Sequence, residues 1–376
     1  MENLDLVLSS YYYDLPPERI AQNPVVPRDS SRLLAVTSPT DHEHRVFREL
    51  PELLRPGDLL VMNDTRVIPA RLYGQTVNGA QVEILLLEEE TPRCWLALVK
   101  PGRRLKLGTV VEFGAIAQVA EHPELTDFHL KAEVVARDEA TGGRKLEFNL
   151  PKDVSLLQVV HHLGQVPLPP YINASHAEAG QYQTVYAKRD GSAAAPTAGL
   201  HFTPELLAQL AEKGISQRFI TLHVGVGTFR PVEAEDITTH KMHGEWLEVP
   251  AEVVEQIQQT KAQGGRVIAV GTTVTRALEG AAAATGTLQP YCNKTNLFIY
   301  PSYQWQVIDG LITNFHLPRS SLMMLVSALI GRQRLLDLYQ EAIAQDYRFY
   351  SFGDAMLILP EAVIAKHLHE SAELKL

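Results

Sequence analysis

The chain has 376 residues, of which 45% are hydrophobic and 21% are charged. This composition is typical of an ordinary globular protein, and it excludes extensive disorder, collagen-like repetition and fibrous heptads. The formal charge of −10 argues against a protein that coats nucleic acid with its whole surface, although it leaves room for a local basic patch. The length indicates two domains.

No segment has the pattern of an export signal or a membrane span. Residues 1–10 lack a basic stretch followed by an apolar one, and no uncharged apolar run reaches the roughly 18 residues that cross a bilayer. Cys94 and Cys292 have no C-x-x-C partner, so we expect two buried thiols rather than a disulfide or a thiolate zinc site. These features predict a cytoplasmic protein without a membrane partner.

Short β-branched and aromatic runs, separated by turns, fill the segment from about Leu59 to Leu150. The runs include LLVMN, ARLYG, VEILLL, WLALV, TVVEF and KLEFNL, and the dipeptide Asn78-Gly79 is one of the hairpin turn signals between them. No pattern of helical period interrupts them. This density of strands predicts a small antiparallel sheet or barrel.

The pattern changes after Pro151, where helices and strands alternate. Thr203-Pro204 begins the helical run PELLAQLAEKG, and the run AEVVEQIQQTKAQ follows Pro250. Each helix precedes a β-run, and RVIAVG leads into a further helix near Thr273. We therefore predict an α/β main domain, residues 1–64 together with 152–376, with an inserted small antiparallel β-barrel domain at residues 65–151.

Histidines on three stretches are candidates for acid–base chemistry. His201 lies in PTAGLHFT and His223 in LHVGVGTFR, beside small residues that permit close backbone approach, and HKMHGE adds His240, His243 and Glu245. The spacing H-x-x-H-x-E matches none of the usual zinc templates, so we expect no metal. A single histidine is more often structural than catalytic, and only the clustering on glycine-rich connections favours function.

Two further features are compatible with ligand binding. Thr272 and Thr273 stand between a strand and a helix, where they either cap the helix or help to bind an anion or a ribose. The tract from Pro92 to Gly108 contains five basic residues, Trp95 and no acidic residue, which fits either a solvated strand face or a contact with a phosphate backbone. Neither a Rossmann glycine motif nor a P-loop occurs.

Several long motifs follow one another along the chain. They are YDLPPERIAQ (13–22), RDSSRLL (28–34), GDLLVMNDTRVIPARL (57–72), PTAGLHFT (196–203), HVGVGTF (223–229), HKMHGE (240–245), VGTTVTRALE (270–279) and DGLITNFHLPRSSLMMLVSAL (309–329). Taken in this order, they resemble one family, the S-adenosylmethionine:tRNA ribosyltransferase-isomerases of queuosine biosynthesis (QueA family). One departure is Ser302, where the family more often has a glycine after the proline.

The resemblance implies an enzyme, a glycosyl-type transferase. It would transfer and isomerise the ribosyl moiety of S-adenosylmethionine onto 7-aminomethyl-7-deazaguanine at the wobble position of tRNA. The product would be epoxyqueuosine-tRNA, with release of adenine and methionine. No recycled cofactor is implied, because S-adenosylmethionine is consumed as a substrate. The expected partners are the precursor-bearing tRNA and S-adenosylmethionine, and we expect a monomer.

Proton handling is expected because the sulfonium group acidifies the neighbouring C5′ hydrogens, so that a general base can form an ylide. Later steps need proton donors and exclusion of water. The catalytic candidates are His201, His223, His243, Glu245 and His316. The substrate-binding candidates are Asp14, Asp64, Thr65, Arg66, Thr197, Thr272, Thr273, Arg276 and Asn314. The RNA-binding candidates are Arg93, Lys100, Arg103, Arg104 and Lys106.

Two other classes of function stay open from the sequence. One is an RNA-binding accessory protein that recognises tRNA through the β-module without chemistry, and it would leave S-adenosylmethionine unconsumed. The other is a metal-dependent hydrolase that uses the histidine cluster, and it would lose activity on exhaustive chelation.

Overall fold

The computed structural model describes residues 3–115, 125, 128–139, 141–152, 154–225 and 232–364. The chain divides into two compact units. The first unit consists of Met1–Thr65, Pro170–Lys188 and Pro196–Leu376. The second consists of Arg66–Pro169 and Arg189–Ala195. The motif predicted at 223–229 and the neighbouring Arg230 lie partly outside the described residues.

The described residues form strands and α-helices joined by short 3₁₀ turns. The strands are β1 (Arg32–Val36), β2 (His42–Val46), β3 (Leu59–Asn63), β4 (Thr65–Val67), β5 (Arg71–Thr76), β6 (Gln81–Thr91), β7 (Cys94–Lys100), β8 (Val110–Ala115), β9 (His129–Arg137), β10 (Arg144–Phe148), β11 (Arg189–Ser192), β12 (Ser216–Leu222), β13 (Glu245–Val249), β14 (Val267–Val270), β15 (Tyr291–Thr295), β16 (Gly310–Asn314) and β17 (Ala355–Ile358). The helices are α1 (Leu50–Leu53), α2 (Leu156–Leu163), α3 (Pro204–Glu212), α4 (Ala251–Ala262), α5 (Thr272–Thr285), α6 (Ser321–Ile330) and α7 (Arg332–Ala344).

A nine-stranded mixed sheet forms the centre of the first unit. Its order is β15-β13-β12-β3-β14-β16-β17-β1-β2. The neighbours β12, β3, β14 and β16 are parallel, whereas β17 is antiparallel to β16 and parallel to β1. Strands β3, β14 and β16 are buried at every position, which is typical of a parallel sheet covered on both faces.

The helices of this unit begin at the signals read in the sequence. The Thr203 hydroxyl accepts a hydrogen bond from the Leu206 amide at 3.2 Å, and Pro204 occupies the first turn of α3. Ser320 caps the almost wholly buried α6 in the same way, through the Met323 amide at 3.3 Å. The helix–strand alternation, and with it the predicted α/β class of the main domain, is confirmed.

The N-terminal fifty residues have no strong helix pattern, and the structure gives them short 3₁₀ turns, β1 and β2. Tyr11 and Tyr13 are buried, and the Tyr13 hydroxyl donates a hydrogen bond to the carbonyl of His316. The ring of Tyr13 meets that of Tyr339 edge-on at 5.2 Å between centroids. The aromatic entry segment is therefore part of the core.

The second unit contains a closed antiparallel barrel with the strand order β10-β7-β6-β5-β8-β9. Alternate side chains point inward, as the burial pattern of β5 illustrates, and Trp95 is among the buried core residues. A side chain at Gly74 would place its Cβ 2.6 Å from the Glu112 carbonyl oxygen, so glycine allows β5 and β8 to approach closely. The predicted inserted barrel is confirmed as an architecture.

This unit is longer than the predicted segment 65–151. Helix α2 follows the barrel, and its buried residues Leu156, Val159 and Val160 belong to the barrel's core cluster. The main-chain N–H of Ile68 also donates to the Ser192 carbonyl, which adds β11 to this unit. Tertiary packing of an amphipathic helix thus extends the unit beyond the last strand. The first run of the predicted β-rich segment, LLVMN, is β3 of the main sheet.

Two smaller observations complete the fold. Cys94 is partly buried and Cys292 is exposed, so the prediction of two buried thiols is wrong. Cys292 lies on β15, an edge strand of the sheet, where one row of side chains faces solvent. Among the described helices, none is long and apolar enough to cross a membrane.

Ser302 has a backbone φ of 79°, in the left-handed region that favours glycine. A non-glycine residue with this φ lowers the free energy of unfolding by about 1 kcal/mol. Glycine avoids that strain but loses more conformational entropy on folding, which lowers the free energy of unfolding by roughly 0.5 kcal/mol. We therefore expect Ser302→Gly to raise the free energy of unfolding by roughly 0.5 kcal/mol in urea titrations. Ser302→Ala, which keeps the strained backbone, should give no gain. Destabilisation by the glycine would contradict this explanation.

Candidate active site at the carboxyl edge of the main sheet

The parallel strands of the main sheet end at one edge, and two of them end in asparagine. Strand β3 ends at Asn63, β12 at Leu222, β14 at Val270 and β16 at Asn314. Ligands of open α/β sheets bind outside the carboxyl ends of such strands. The strand directions also bring the beginnings of β17 and β1 to this edge. The edge gathers eight predicted residues: Asp64, Thr65, Thr197, His201, His223, Thr272, Thr273 and Asn314.

Asn63 connects the ends of two strands. Its Nδ2 donates to the Leu222 carbonyl at 2.9 Å, and its Oδ1 accepts from the amides of Leu222 and Thr65 at 3.1 Å each. Its Nδ2 also lies 3.5 Å from Thr273 Oγ1. Asn63 was absent from the predicted site residues, although its position directly after a buried apolar run was a usable signal.

His223 follows β12 and is partly exposed. Its Nδ1 lies 2.8 Å from Thr65 Oγ1, and its ring stacks on Trp246 with 5.0 Å between centroids. Asp64, one residue before Thr65, accepts a hydrogen bond from the Thr221 hydroxyl at 2.6 Å. The imidazole is therefore held in one orientation at the edge of the sheet.

His201 is completely buried, and both ring nitrogens have partners. Nδ1 lies 2.7 Å from Ser31 Oγ, and Nε2 lies 3.1 Å from Asn314 Nδ2. Asn314 also donates from Nδ2 to the carbonyl of Tyr350 and accepts from the Thr197 hydroxyl. Because a carbonyl can only accept, this fixes the amide orientation, so Nε2 accepts and Nδ1 carries the proton.

The environment of His201 disfavours the imidazolium form. Burial, and after it the positive charges of Arg28 and Arg348, hold the pKa of His201 well below its ordinary value. The ring also stacks on Phe47, with centroids 5.0 Å apart. His201 is therefore a neutral hydrogen-bonding group at neutral pH, and it does not titrate there as the sequence suggested.

His316 is in a similar position. Its Nε2 lies 2.8 Å from Thr313 Oγ1, its amide donates to the Tyr339 hydroxyl, and burial lowers its pKa from 6.5 to about 3. The expectation of a histidine titrating near neutral pH is therefore not met at His316 either. The physical reason in both cases is desolvation, which sequence spacing does not reveal.

Glu245 and Arg276 form a buried ion pair. Glu245 begins β13, and its other carboxylate oxygen accepts from the Gly225 amide at 3.2 Å. Arg276, on α5, also donates from Nε to the Leu297 carbonyl at 3.2 Å. Glu245 is therefore held as a partner of Arg276. Within the described residues, Arg276 Nη2 is buried without a hydrogen-bond partner.

Helix α5 begins at the same edge, after Gly271. Gly271 occupies the cap position with φ of 96° and no side-chain cap, so the alternative that Thr272 or Thr273 caps the helix is wrong. A threonine at the cap would need an extended backbone, whereas this position requires glycine. The first amides of this 14-residue helix and both hydroxyls thus lie at the site.

Three predicted residues make none of the contacts described above. Asp14 is exposed on the N-terminal segment. Arg66 belongs to the second unit, where its Nε lies 3.9 Å from Asp190. His243 is partly buried near His240, whose pKa is lowered by burial and then by the charge of His243.

Among the described residues, the histidines of the motif HKMHGE belong to no group of three potential metal ligands. Among the residues that the structure describes, only His42, His44 and Glu341 bring three ligand atoms within 4.8 Å of one another. They lie on β2 and α7, away from the motif HKMHGE. The histidine cluster of that motif therefore gives no support to the metal-dependent hydrolase.

Comparison with known proteins assigns the family. A family model described as queuosine biosynthesis protein matches residues 8–358. The S-adenosylmethionine:tRNA ribosyltransferase-isomerase of a Nostoc species is 64% identical over 372 residues, covering 96% of this chain and 94% of that protein. The chain belongs to this family. The family's enzyme of the same name from Thermosynechococcus vestitus is 62% identical, covering 95% and 97% of the two chains.

A solved structure of the family has the same fold. The crystal structure of S-adenosylmethionine tRNA ribosyltransferase from Thermotoga maritima is 39% identical, with a TM-score of 0.53, and covers 93% of this chain and 100% of that one. The predicted family and transferase class are confirmed.

The second unit carries a basic groove of about 430 Å³. Its lining includes Arg103, Lys106, Arg137 and Arg144, and none of the described residues that line it is acidic. Arg144 donates to the carbonyls of Gly102, Leu105, Gly142 and Gly143, which fixes its guanidinium in place. The predicted Arg93, Lys100 and Arg104 are exposed on the same unit but do not line this groove.

The buried His316 should make stability depend on pH. Its folded pKa of about 3 lies below the ordinary 6.5, so the unfolded chain binds the extra proton and stability falls as pH drops from about 6.5 towards 3. Within that pH range, His316 should lower the free energy of unfolding by about 1.4 kcal/mol for each unit by which the pH falls.

Urea titrations of wild type and His316→Gln at pH 7, 6 and 5 measure this dependence. His316→Gln should have a lower free energy of unfolding than wild type at pH 7, and this free energy should fall less steeply towards pH 5. His162→Gln, at an exposed position on α2, should leave the decline unchanged. Equal slopes for wild type and His316→Gln would contradict the burial argument.

Proposed function

We propose that the protein transfers and isomerises the ribosyl moiety of S-adenosylmethionine onto 7-aminomethyl-7-deazaguanine at the wobble position of tRNA. Adenine and methionine leave, and the tRNA carries epoxyqueuosine. The observation that carries the proposal is the 64% identity, over 96% of the chain, to an enzyme named for this transfer. The polar cluster at the carboxyl edge of the main sheet supplies groups suited to such a donor.

The first chemical step requires a base for the C5′ proton. The electron pair stays on C5′ and is stabilised by the adjacent sulfonium. We assign this role to His223, because it is partly exposed at the sheet edge and Thr65 and Trp246 hold its ring. His243 is the second candidate, since it too is only partly buried.

The aminomethyl nitrogen of the tRNA forms a bond to the ribosyl carbon skeleton and loses a proton, and a ribosyl oxygen closes the epoxide at the carbon that methionine leaves. Adenine leaves with the electron pair of its glycosidic bond and takes a proton, and methionine leaves with the electron pair of the carbon–sulfur bond, which neutralises the sulfonium. The amides and hydroxyls at the start of α5, together with Asn63, are placed to hold ribose oxygens. His201 and His316 act as positioning residues in this scheme, because each is buried and neutral.

The proposal includes no recycled cofactor, because the donor is consumed as a substrate. It places the enzyme in the cytoplasm, where tRNA is modified, and it retains the expectation of a monomer, which a mass measurement in solution tests. Transfer RNA contacts the basic groove of the barrel, since clustered exposed cations on an otherwise acidic protein favour a phosphate backbone.

Mass spectrometry of precursor-bearing tRNA, incubated with the protein and S-adenosylmethionine, tests the reaction. The tRNA should gain the ribosyl-derived mass while free adenine and methionine appear in equal amounts. S-adenosylhomocysteine as the product would indicate methyl transfer and overturn the proposal. A tRNA complex without donor consumption would favour the RNA-binding accessory protein. Chelation should leave the yield unchanged.

Neutralising the basic groove should weaken tRNA binding. We expect Arg103→Gln with Lys106→Gln to raise the Kd for tRNA and to flatten its salt dependence by roughly one phosphate contact per residue. Lys131→Gln is the matched control, because Lys131 lies on the same barrel but pairs with Glu112 at 2.7 Å. An unchanged salt slope in the double variant, measured by filter binding, would exclude the groove as an RNA contact.

A further inference from the structure

Two arginines beside His201 each have a buried nitrogen that lacks a hydrogen-bond partner among the described residues. Arg28 Nη1 and Arg348 Nη2 are inaccessible to solvent and make no hydrogen bond to any part of the chain that the structure describes. A buried charged donor without a partner costs free energy. Such groups persist in folded proteins where a ligand completes their hydrogen bonds.

Arg28 is held from one side only. Its Nε donates to the Leu200 carbonyl at 3.2 Å, and its Nη2 lies 3.3 and 3.5 Å from the two ring nitrogens of His201. Because Nδ1 of His201 carries the proton for Ser31, the Nη2 contact with this ring is not a full hydrogen bond. The guanidinium is thus fixed in place while much of its donor capacity stays unused.

Arg348 lies in the turn before β17. Its Nη1 donates to the Asn23 carbonyl at 3.3 Å, and its Nη2 lies 3.6 Å from Asp354, beyond hydrogen-bond distance. Asp354 is almost fully buried, and its two oxygens accept the backbone amides of Arg32 and Arg348. This carboxylate therefore only partly neutralises Arg348.

The local charge balance is positive. Burial, followed by the positive charge of Arg348, lowers the pKa of Arg28 to about 10, while Asp354 acts in the opposite direction. Two guanidinium groups thus face one carboxylate that is already bonded to backbone amides. One additional anion would balance the charge and accept the unused N–H groups.

We propose that Arg28 and Arg348 form the subsite for the carboxylate of the methionyl end of S-adenosylmethionine. This inference rests on the proposed function. A planar carboxylate matches the forked donors of arginine. The two arginines also lie at the carboxyl edge, joined to the site through His201, Asn314 and Tyr350.

A tRNA phosphate is the other anion in the reaction, and it fits this place less well. The unpartnered nitrogens are buried, whereas a continuous RNA backbone requires exposed cations such as those of the basic groove. A single carboxylate at the end of a small molecule fits between side chains where a polymer does not.

The test compares S-adenosylmethionine with its decarboxylated analogue as ligands of the full-length protein. Isothermal titration calorimetry should show wild type binding the carboxylated donor roughly 10- to 100-fold more tightly. Arg348→Gln should bring that ratio close to one, and Arg348→Lys, which keeps the charge but not the fork, should restore part of it. Arg45→Gln, at a surface position paired with Glu43, should keep the full ratio.

Each outcome decides between the alternatives. If Arg348→Gln weakens both donors equally, the arginine is merely structural and the subsite is wrong. If only the Michaelis constant for tRNA changes, the pair binds a phosphate, which also overturns the subsite. Should Arg348→Gln fail to fold, Arg28→Gln provides the same comparison.

The proposed function fails in a different way. Arg348→Gln could lose the preference for the carboxylated donor while the wild type forms no adduct on precursor-bearing tRNA. That pair of results would support the carboxylate subsite and overturn the proposed reaction. If the wild type forms the adduct but binds S-adenosylmethionine and its decarboxylated analogue equally well, the subsite is wrong and the proposed reaction stands.

Discussion

The amide of Asn63 pairs with both backbone groups of Leu222 and with the amide of Thr65, and the site depends on this interaction. Asn63 is the last residue of β3, so its side chain continues the hydrogen bonding between β3 and β12 where the strands separate. This fixes the direction in which Thr65 and His223 leave the sheet. Asn314 does the equivalent at the end of β16, where it joins Thr197, His201 and Tyr350.

Burial divides the histidines of the site into two groups. His201 and His316 are deep, and desolvation lowers the pKa of both, so they serve as neutral hydrogen-bonding groups. His223 and His243 remain partly exposed. Partly exposed imidazoles can be reached by the donor, while exact placement of the donor benefits from the buried, fixed groups.

The sequence predicted the fold class because local signals agreed with tertiary structure. Thr203-Pro204 marked the start of α3, and the run from RVIAVG to Thr273 marked β14 and α5. Helix α2 was not placed in the barrel unit, since its membership depends on packing against strands distant in sequence. The same limit applies to the site. Motifs identified His201 and Asn314, but only the three-dimensional structure shows that Arg28 and Arg348 lie beside them with unused donors.

The central claim is that the donor binds at the carboxyl edge of the parallel strands. A crystal structure of the protein with an unreactive sulfonium analogue of S-adenosylmethionine tests it most directly. We expect density for the ribose beside Asn63, Thr273 and His223. Density at the opposite edge of the sheet, or confined to the basic groove of the barrel, would contradict it.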